Sequence, residues 1–213
     1  MRDLSAIREQ YQQAGLDRTA LAADPITQFE RWYDQWAATD PYDTAAMVVA
    51  TADRSGRPSA RYVLLRSVDE RGFVFFTNYD GGKGRHLDAN PVAALTFGWI
   101  DLERQVRVEG HVRRVSEEES DAYFSVRPRR SQIAAWASPQ SEVIPDRALL
   151  ERRFGDLDAR YRGQDVPRPD HWGGYRVVPE AVEFWQGRPD RLHDRFRYRH
   201  QASGGWLIER LGP

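Results

Sequence analysis

Apolar positions recur at two different periods along the chain, and the change of period marks its organisation. After Asp24-Pro25, residues Ile26, Phe29, Trp32, Tyr33 and Trp36 fall on one stripe of a 3.6-residue repeat. Asp24 suits an N-cap and Pro25 the first helical position, so a helix with one apolar face is predicted there. From Ala45 the texture becomes short runs rich in Val, Leu, Phe and Thr, broken by turn residues. These predict strands over residues 46–51, 60–67, 72–78, 92–99, 104–115, 174–178, 182–186, 195–199 and 206–210. Asp53-Arg54-Ser55-Gly56 reads as a turn, and Asp69-Glu70-Arg71 as the link of a hairpin between 60–67 and 72–78. Ser116-Glu117-Glu118-Glu119 has the form of a capping box. A further helix over 148–161 sets Leu149, Leu150, Phe154, Leu157 and Tyr161 roughly on one face. Hairpin-joined strands with interspersed helices predict a mainly β, α+β architecture, an antiparallel barrel with packed helices. No repeat, linker or low-complexity tract divides residues 1–213, so a single domain is expected.

Composition narrows the chemistry. Of the 213 residues, 40% are hydrophobic and 30% charged, as expected of a globular protein. The formal net charge of -1 provides no global basic field for nucleic acid or anionic lipid, so an anionic ligand needs a local cluster. Cysteine is absent, which excludes disulfides, thiolate nucleophiles and iron–sulfur ligation. The N-terminal residues are polar, and no apolar run reaches membrane-spanning length. A soluble, cytoplasmic protein without nucleic-acid or membrane partners is expected. The five histidines form no HxH or HxxxH pair, and no GxSxG elbow is present.

Four basic stretches remain, each open to two readings. In Arg191-Leu192-His193-Asp194-Arg195, an extended chain would point Arg191, His193 and Arg195 together. Such a trio would grip an anion and favour neutral imidazole; it would equally serve as a solvated strand face. In Arg61-Tyr62-Val63-Leu64-Leu65-Arg66 the two arginines face opposite sides of a strand, as ligand contacts or merely as its rims. Asp80-Gly81-Gly82-Lys83-Gly84-Arg85 exposes backbone N–H groups ahead of an expected helix, but lacks Walker or Rossmann spacing. Lys83 is the only lysine. Around Arg127-Pro128-Arg129-Arg130-Ser131, Pro128 ends a helix, leaving either a phosphate clamp or a basic helix terminus.

Taken in order, these stretches resemble the pyridoxamine 5'-phosphate oxidase family. The resemblance runs from about Ile7 to Pro213. It is carried by Ala46-Met47-Val48, Arg61 to Leu65, Phe76-Thr77-Asn78, Glu103-Arg104-Gln105-Val106 and Arg127-Pro128. Ser131-Gln132, Trp136, Gln140-Ser141, Trp172-Gly173-Gly174, Glu183 to Gly187 and Arg191 to Arg195 complete it.

The resemblance implies an FMN-binding split barrel acting as a homodimer, with the flavin at the subunit interface. It implies an N-terminal lid over about residues 1–20 and a C-terminal substrate- and flavin-binding region over about 172–213. FMN is expected to contact Arg61, Tyr62, Val63, Leu64, Leu65, Arg66, Phe76, Thr77, Lys83, Gln105, Gln140, Ser141, Trp185 and Arg195. The substrate phosphate is expected at Arg66, Tyr123, Arg127 and Ser131. Arg191 and His193 are expected over the substrate ring as positioning and proton-handling residues, with Arg8 and Tyr11 closing the site. The implied reaction oxidises pyridoxamine or pyridoxine 5'-phosphate with O2, giving pyridoxal 5'-phosphate and H2O2, with NH3 from the amine. Two positions depart from the family pattern: Arg66 stands where lysine is usual, and Gly82 where a basic residue is usual. Arg85 is the residue expected to compensate for the second charge. Rival readings are a related split-barrel flavin or deazaflavin oxidoreductase, and a non-catalytic FMN or pyridoxal phosphate carrier.

Overall fold

The computed structural model describes Tyr11 and residues 15–213. Helix α1 (Pro25–Ala37) starts as its sequence requires, with the Asp24 carboxylate accepting from the Thr27 N–H at 2.8 Å. Its stripe meets the sheet: Phe29 and Trp32 are buried, and the Phe29 ring lies edge-on to Phe73 and Phe97 at 4.9 Å each. Burying each such ring contributes about 2–3 kcal/mol, so this contact is what fixes α1 on the sheet.

Nine strands form one antiparallel sheet: β1 (Ala46–Ala52), β2 (Pro58–Leu64), β3 (Ser67–Asp69), β4 (Gly72–Asn78), β5 (Val92–Trp99), β6 (Arg104–Arg114), β7 (Trp172–Gln186), β8 (Asp194–His200) and β9 (Trp206–Leu211). The order is β2-β1-β5-β6-β7-β4-β3, with β8 on β7 and β9 on β8, curled as a half-barrel. Helices α2 (Gly82–Ala89), α3 (Glu117–Ser125), α4 (Arg129–Ala137) and α5 (Arg147–Arg160) complete the described α-helices. The Ser116 capping box is formed in both directions. A second, smaller core of Phe124, Ile133, Tyr161, Val166 and Trp172 seats α3 to α5 against the start of β7.

Four expectations are corrected. The predicted hairpin of 60–67 with 72–78 does not form. β2 pairs with β1, Ala46 opposite Leu64, and only the three residues of β3 turn back onto β4. Leu65 and Arg66 divide the run because their N–H groups go to different strands' flanks, to the Ala45 and Val74 carbonyls. The two late strands are a single β7. Pro179 has no N–H to donate, and the register with β6 shifts there, but the strand continues as a bulge rather than ending. Below the bulge β7 pairs with β4, and beyond it with β8, so this one strand joins two branches of the sheet. The helix near the glycine cluster begins inside it, with Gly81 as N-cap. Pro128 does not merely end α3; it is the N-cap position of α4, a helix the sequence reading lacked.

A cation-lined cavity as candidate active site

The sheet and three of its helices enclose a cavity of about 610 Å³. Strand β2 lends it Arg61, Tyr62, Val63 and Leu64, and the link to β3 lends Arg66. Phe76 and Thr77 come from β4, Lys83 from the first turn of α2, and Tyr123 from α3. Arg127 sits on the α3–α4 link, Ser131 in the first turn of α4, and Gln140 in the loop beyond. Four of the described lining residues are cationic and none is acidic.

Aromatic faces hold two of the cations. Phe76, Tyr123 and Trp172 stack, with Phe76 and Tyr123 centroids 4.1 Å apart. The Arg127 guanidinium lies 4.5 Å over Trp172, and Arg66 lies 5.8 Å over Tyr123. Arg127 Nη1 is buried without a hydrogen-bond partner among the described residues, and burial lowers the guanidinium's pKa below its usual value. A buried cationic donor left unmatched is costly unless an anion completes it. Gln132, beside Ser131, instead caps α3 by donating to the Phe124 carbonyl at 2.8 Å.

Polar contacts fix the other end. Lys83 Nζ donates to Thr77 Oγ1 at 2.8 Å and to Gln140 Oε1 at 2.6 Å. Burial, with a smaller push from Arg61, brings the ammonium down to about 8. Ser141, at φ 69°, accepts from the Gly82 N–H at 3.1 Å, which ties its loop to α2. A Cβ on Gly81 would meet Gln140 Oε1 at 2.4 Å, so a larger residue there would push the Gln140 amide aside. Arg85 donates to the Asp80 carbonyl and does not line the cavity, so it does not stand in for a side chain at Gly82. The Leu65 side chain is packed in the main core.

Gln105, Trp185, Arg191, His193 and Arg195 do not line this cavity. Trp185 on β7 stands between Gln105 on β6 and Arg195 on β8. Arg195 Nε donates to Glu183 Oε1 at 2.8 Å, and that ion pair raises the guanidinium's pKa. His193 lies 4.6 Å from the Trp185 ring, with the Tyr11 ring 5.5 Å away on its edge. Its Nδ1 accepts from the Arg188 N–H at 3.1 Å, so a neutral ring carries its proton on Nε2. The expected strand face of Arg191, His193 and Arg195 is not formed. Asp190 and Arg191 have φ of 56° and 62°, so Arg191 leaves the strand before β8 begins. Arg8 lies outside the described residues. Sequence reasoning passed over Glu183, which aims Arg195, and Thr51, which aims Arg61 with Oγ1 2.8 Å from its Nη1. Neither carries a local motif; each is legible only through strand register.

Comparison with known proteins gives this arrangement a context. Residues 42–161 match the profile of the family described as pyridoxamine 5'-phosphate oxidase. Residues 172–213 match the pyridoxine 5'-phosphate oxidase C-terminal dimerisation region. The chain is 54% identical over 213 residues to pyridoxine/pyridoxamine 5'-phosphate oxidase 1 of Ralstonia nicotianae, covering 100% of each. It is 56% identical over 212 residues to the pyridoxine/pyridoxamine 5'-phosphate oxidase of Rubrobacter xylanophilus, covering 100% of this chain and 97% of the relative. Among solved structures, PhzG of Burkholderia lata, in complex with tetrahydrophenazine-1-carboxylic acid, superposes with a TM-score of 0.89 at 30% identity, covering 96% of this chain and all of that one. An FMN-binding protein from Nostoc punctiforme shares the fold, with a TM-score of 0.71 at 16% identity over 91% of this chain and 100% of its own.

Proposed function

The chain belongs to the pyridoxamine 5'-phosphate oxidase family and is an FMN-dependent oxidoreductase, and from that premise we propose its reaction. It oxidises pyridoxamine and pyridoxine 5'-phosphate to pyridoxal 5'-phosphate. With the amine, substrate, O2 and water give the aldehyde, NH3 and H2O2; with the alcohol, substrate and O2 give the aldehyde and H2O2. FMN, when bound, would supply the acceptor for a hydride from the substrate C4' carbon and the redox chemistry that reaches O2.

The observation that carries this reading is the partnerless, buried Arg127 Nη1 in a cavity with four cations and no carboxylate among its described lining residues. Two phosphates fit that donor set. Arg61, Lys83, Gln140 and Ser141 hold the cofactor end. Arg66, Tyr123, Arg127 and Ser131 hold the substrate phosphate, with the guanidiniums supplying charge-assisted hydrogen bonds. The remaining expected contacts, Gln105, Trp185, Arg191, His193 and Arg195, do not line the cavity of their own chain. Two copies of the chain therefore complete the site, each lending this group to its partner, in keeping with the matched dimerisation region. Arg191 orients the substrate ring. His193 exchanges a proton at Nε2, because Nδ1 is occupied by the Arg188 N–H. Tyr11, packed on His193 and Trp185, belongs to the segment that closes the site.

The test is to purify the protein with FMN and supply pyridoxamine 5'-phosphate in air. Aldehyde and peroxide in equal amounts are expected. Joint Arg191→Ala and His193→Ala substitution should cripple turnover while FMN stays bound. A yellow, inactive wild-type protein would instead favour a carrier.

A further inference from the structure

Arg61 is not free to swing in the cavity. Its Nη1 donates to Thr51 Oγ1 at 2.8 Å and to the Val49 carbonyl at 3.3 Å, and its Nη2 donates to Ser59 Oγ at 2.6 Å. A guanidinium has five N–H groups; among the described residues three are committed to protein, which leaves two for an anion. Thr51 is itself only 3% exposed, on β1 directly opposite Ser59 of β2. Its Oγ1 lies 3.2 Å from Nδ1 of His86 on α2. Arg61 has no lone pair to offer, so the Thr51 hydroxyl must accept from it and can point its own hydrogen only elsewhere. His86 Nδ1 is the partner it meets, donor or acceptor according to the tautomer of the ring, since the hydroxyl keeps a second lone pair as well as its hydrogen. The result is a connected chain, Arg61 to Thr51 to His86. It ends on the same helix that presents Lys83, one turn earlier.

We propose that Thr51 and His86 are positioning residues for the cofactor: they hold the two uncommitted Arg61 N–H groups toward the FMN phosphate, although neither lines the cavity. This rests on the reading that the cavity takes FMN. It gives α2 a double role, carrying one phosphate-binding cation and aiming another.

The test is a fluorescence titration of the apoprotein with FMN, alongside the melting temperature of each apo variant. Thr51→Val keeps the side-chain shape and removes the hydroxyl; it should weaken FMN binding about tenfold, the worth of one charge-assisted bond. Thr51→Ser restores the hydroxyl and should bind within about twofold of wild type. In an Arg61→Ala background, Thr51→Val should cost less than about twofold more, because there is no guanidinium left to aim. His86→Phe, at a half-buried position, should weaken binding by about threefold with an unchanged melting temperature. Wild-type affinity in both Thr51→Val and His86→Phe would overturn the proposal. So would an undiminished Thr51→Val loss in the Arg61→Ala background. A wild-type chain that takes no FMN overturns the underlying reading of the cavity, and this proposal with it.

Discussion

Lys83 makes FMN affinity depend on pH in a calculable way. Its ammonium is buried between Thr77 and Gln140 and titrates at about 8 without the cofactor, against an ordinary value of 10.5. A phosphate monoester, with a second pKa of about 6, is already dianionic above neutrality, and the arginines keep their charge. If only the ammonium form binds tightly, the apparent Kd scales as one plus the ratio of neutral to charged Lys83. That factor is about 1.1 at pH 7 and about 11 at pH 9, a tenfold loss of affinity across the interval. Stability of the apoprotein moves the other way. Between about 8 and 10.5 the unfolded chain binds the proton and the folded chain does not, so the Lys83 contribution to stability, read as wild type against Lys83→Met, rises with pH over that window. Opposite signs separate the two effects in one pair of experiments, FMN titration and urea unfolding at each pH. Lys83→Met should bind FMN about 10- to 100-fold more weakly at neutral pH and show no such slope. A flat wild-type affinity, or the same slope in Lys83→Met, would refute the reasoning.

Three further outcomes follow from the geometry. Arg127→Leu removes the guanidinium whose Nη1 is buried and unpartnered among the described residues; steady-state kinetics should show KM for pyridoxamine 5'-phosphate raised by roughly 100-fold, and an unchanged KM would remove Arg127 from the substrate side. Gly82→Arg has room, since a Cβ there meets nothing closer than Ser141 Oγ at 3.6 Å, and the added cation should tighten FMN about tenfold in the same titration. Gly84→Ala forces a Cβ to 1.8 Å from the Tyr79 carbonyl oxygen, and urea denaturation should register a loss of about 3 kcal/mol or more.

What the sequence disclosed followed the range of the interactions involved. Asp24-Pro25 and the Phe29–Trp32 stripe made α1 legible because cap and period are both local. The Ser116 box made the start of α3 legible for the same reason. Pairing partners were harder. Nothing between Leu64 and Ser67 is a glycine or proline, so the break that returns β2 to β1 left no local mark. Pro179 did leave a mark, but a bulge and a strand end look alike without the partner strand. Candidate residues emerged as basic clusters, and resemblance sorted them into two ends of one site. Their spatial division needed coordinates: a period-two reading cannot foresee left-handed Asp190 and Arg191, which take Arg191 off the β8 face. Thr51 and His86, 35 residues apart, meet only because β1 packs beside α2.

The central claim is that phosphorylated substrate gives its electrons to the flavin held in this cavity. Mixing the FMN-loaded protein with pyridoxamine 5'-phosphate in the absence of air tests it directly. The yellow flavin absorbance should bleach as one equivalent of pyridoxal 5'-phosphate forms, and should return when air is admitted. Flavin absorbance that persists with saturating substrate would contradict it.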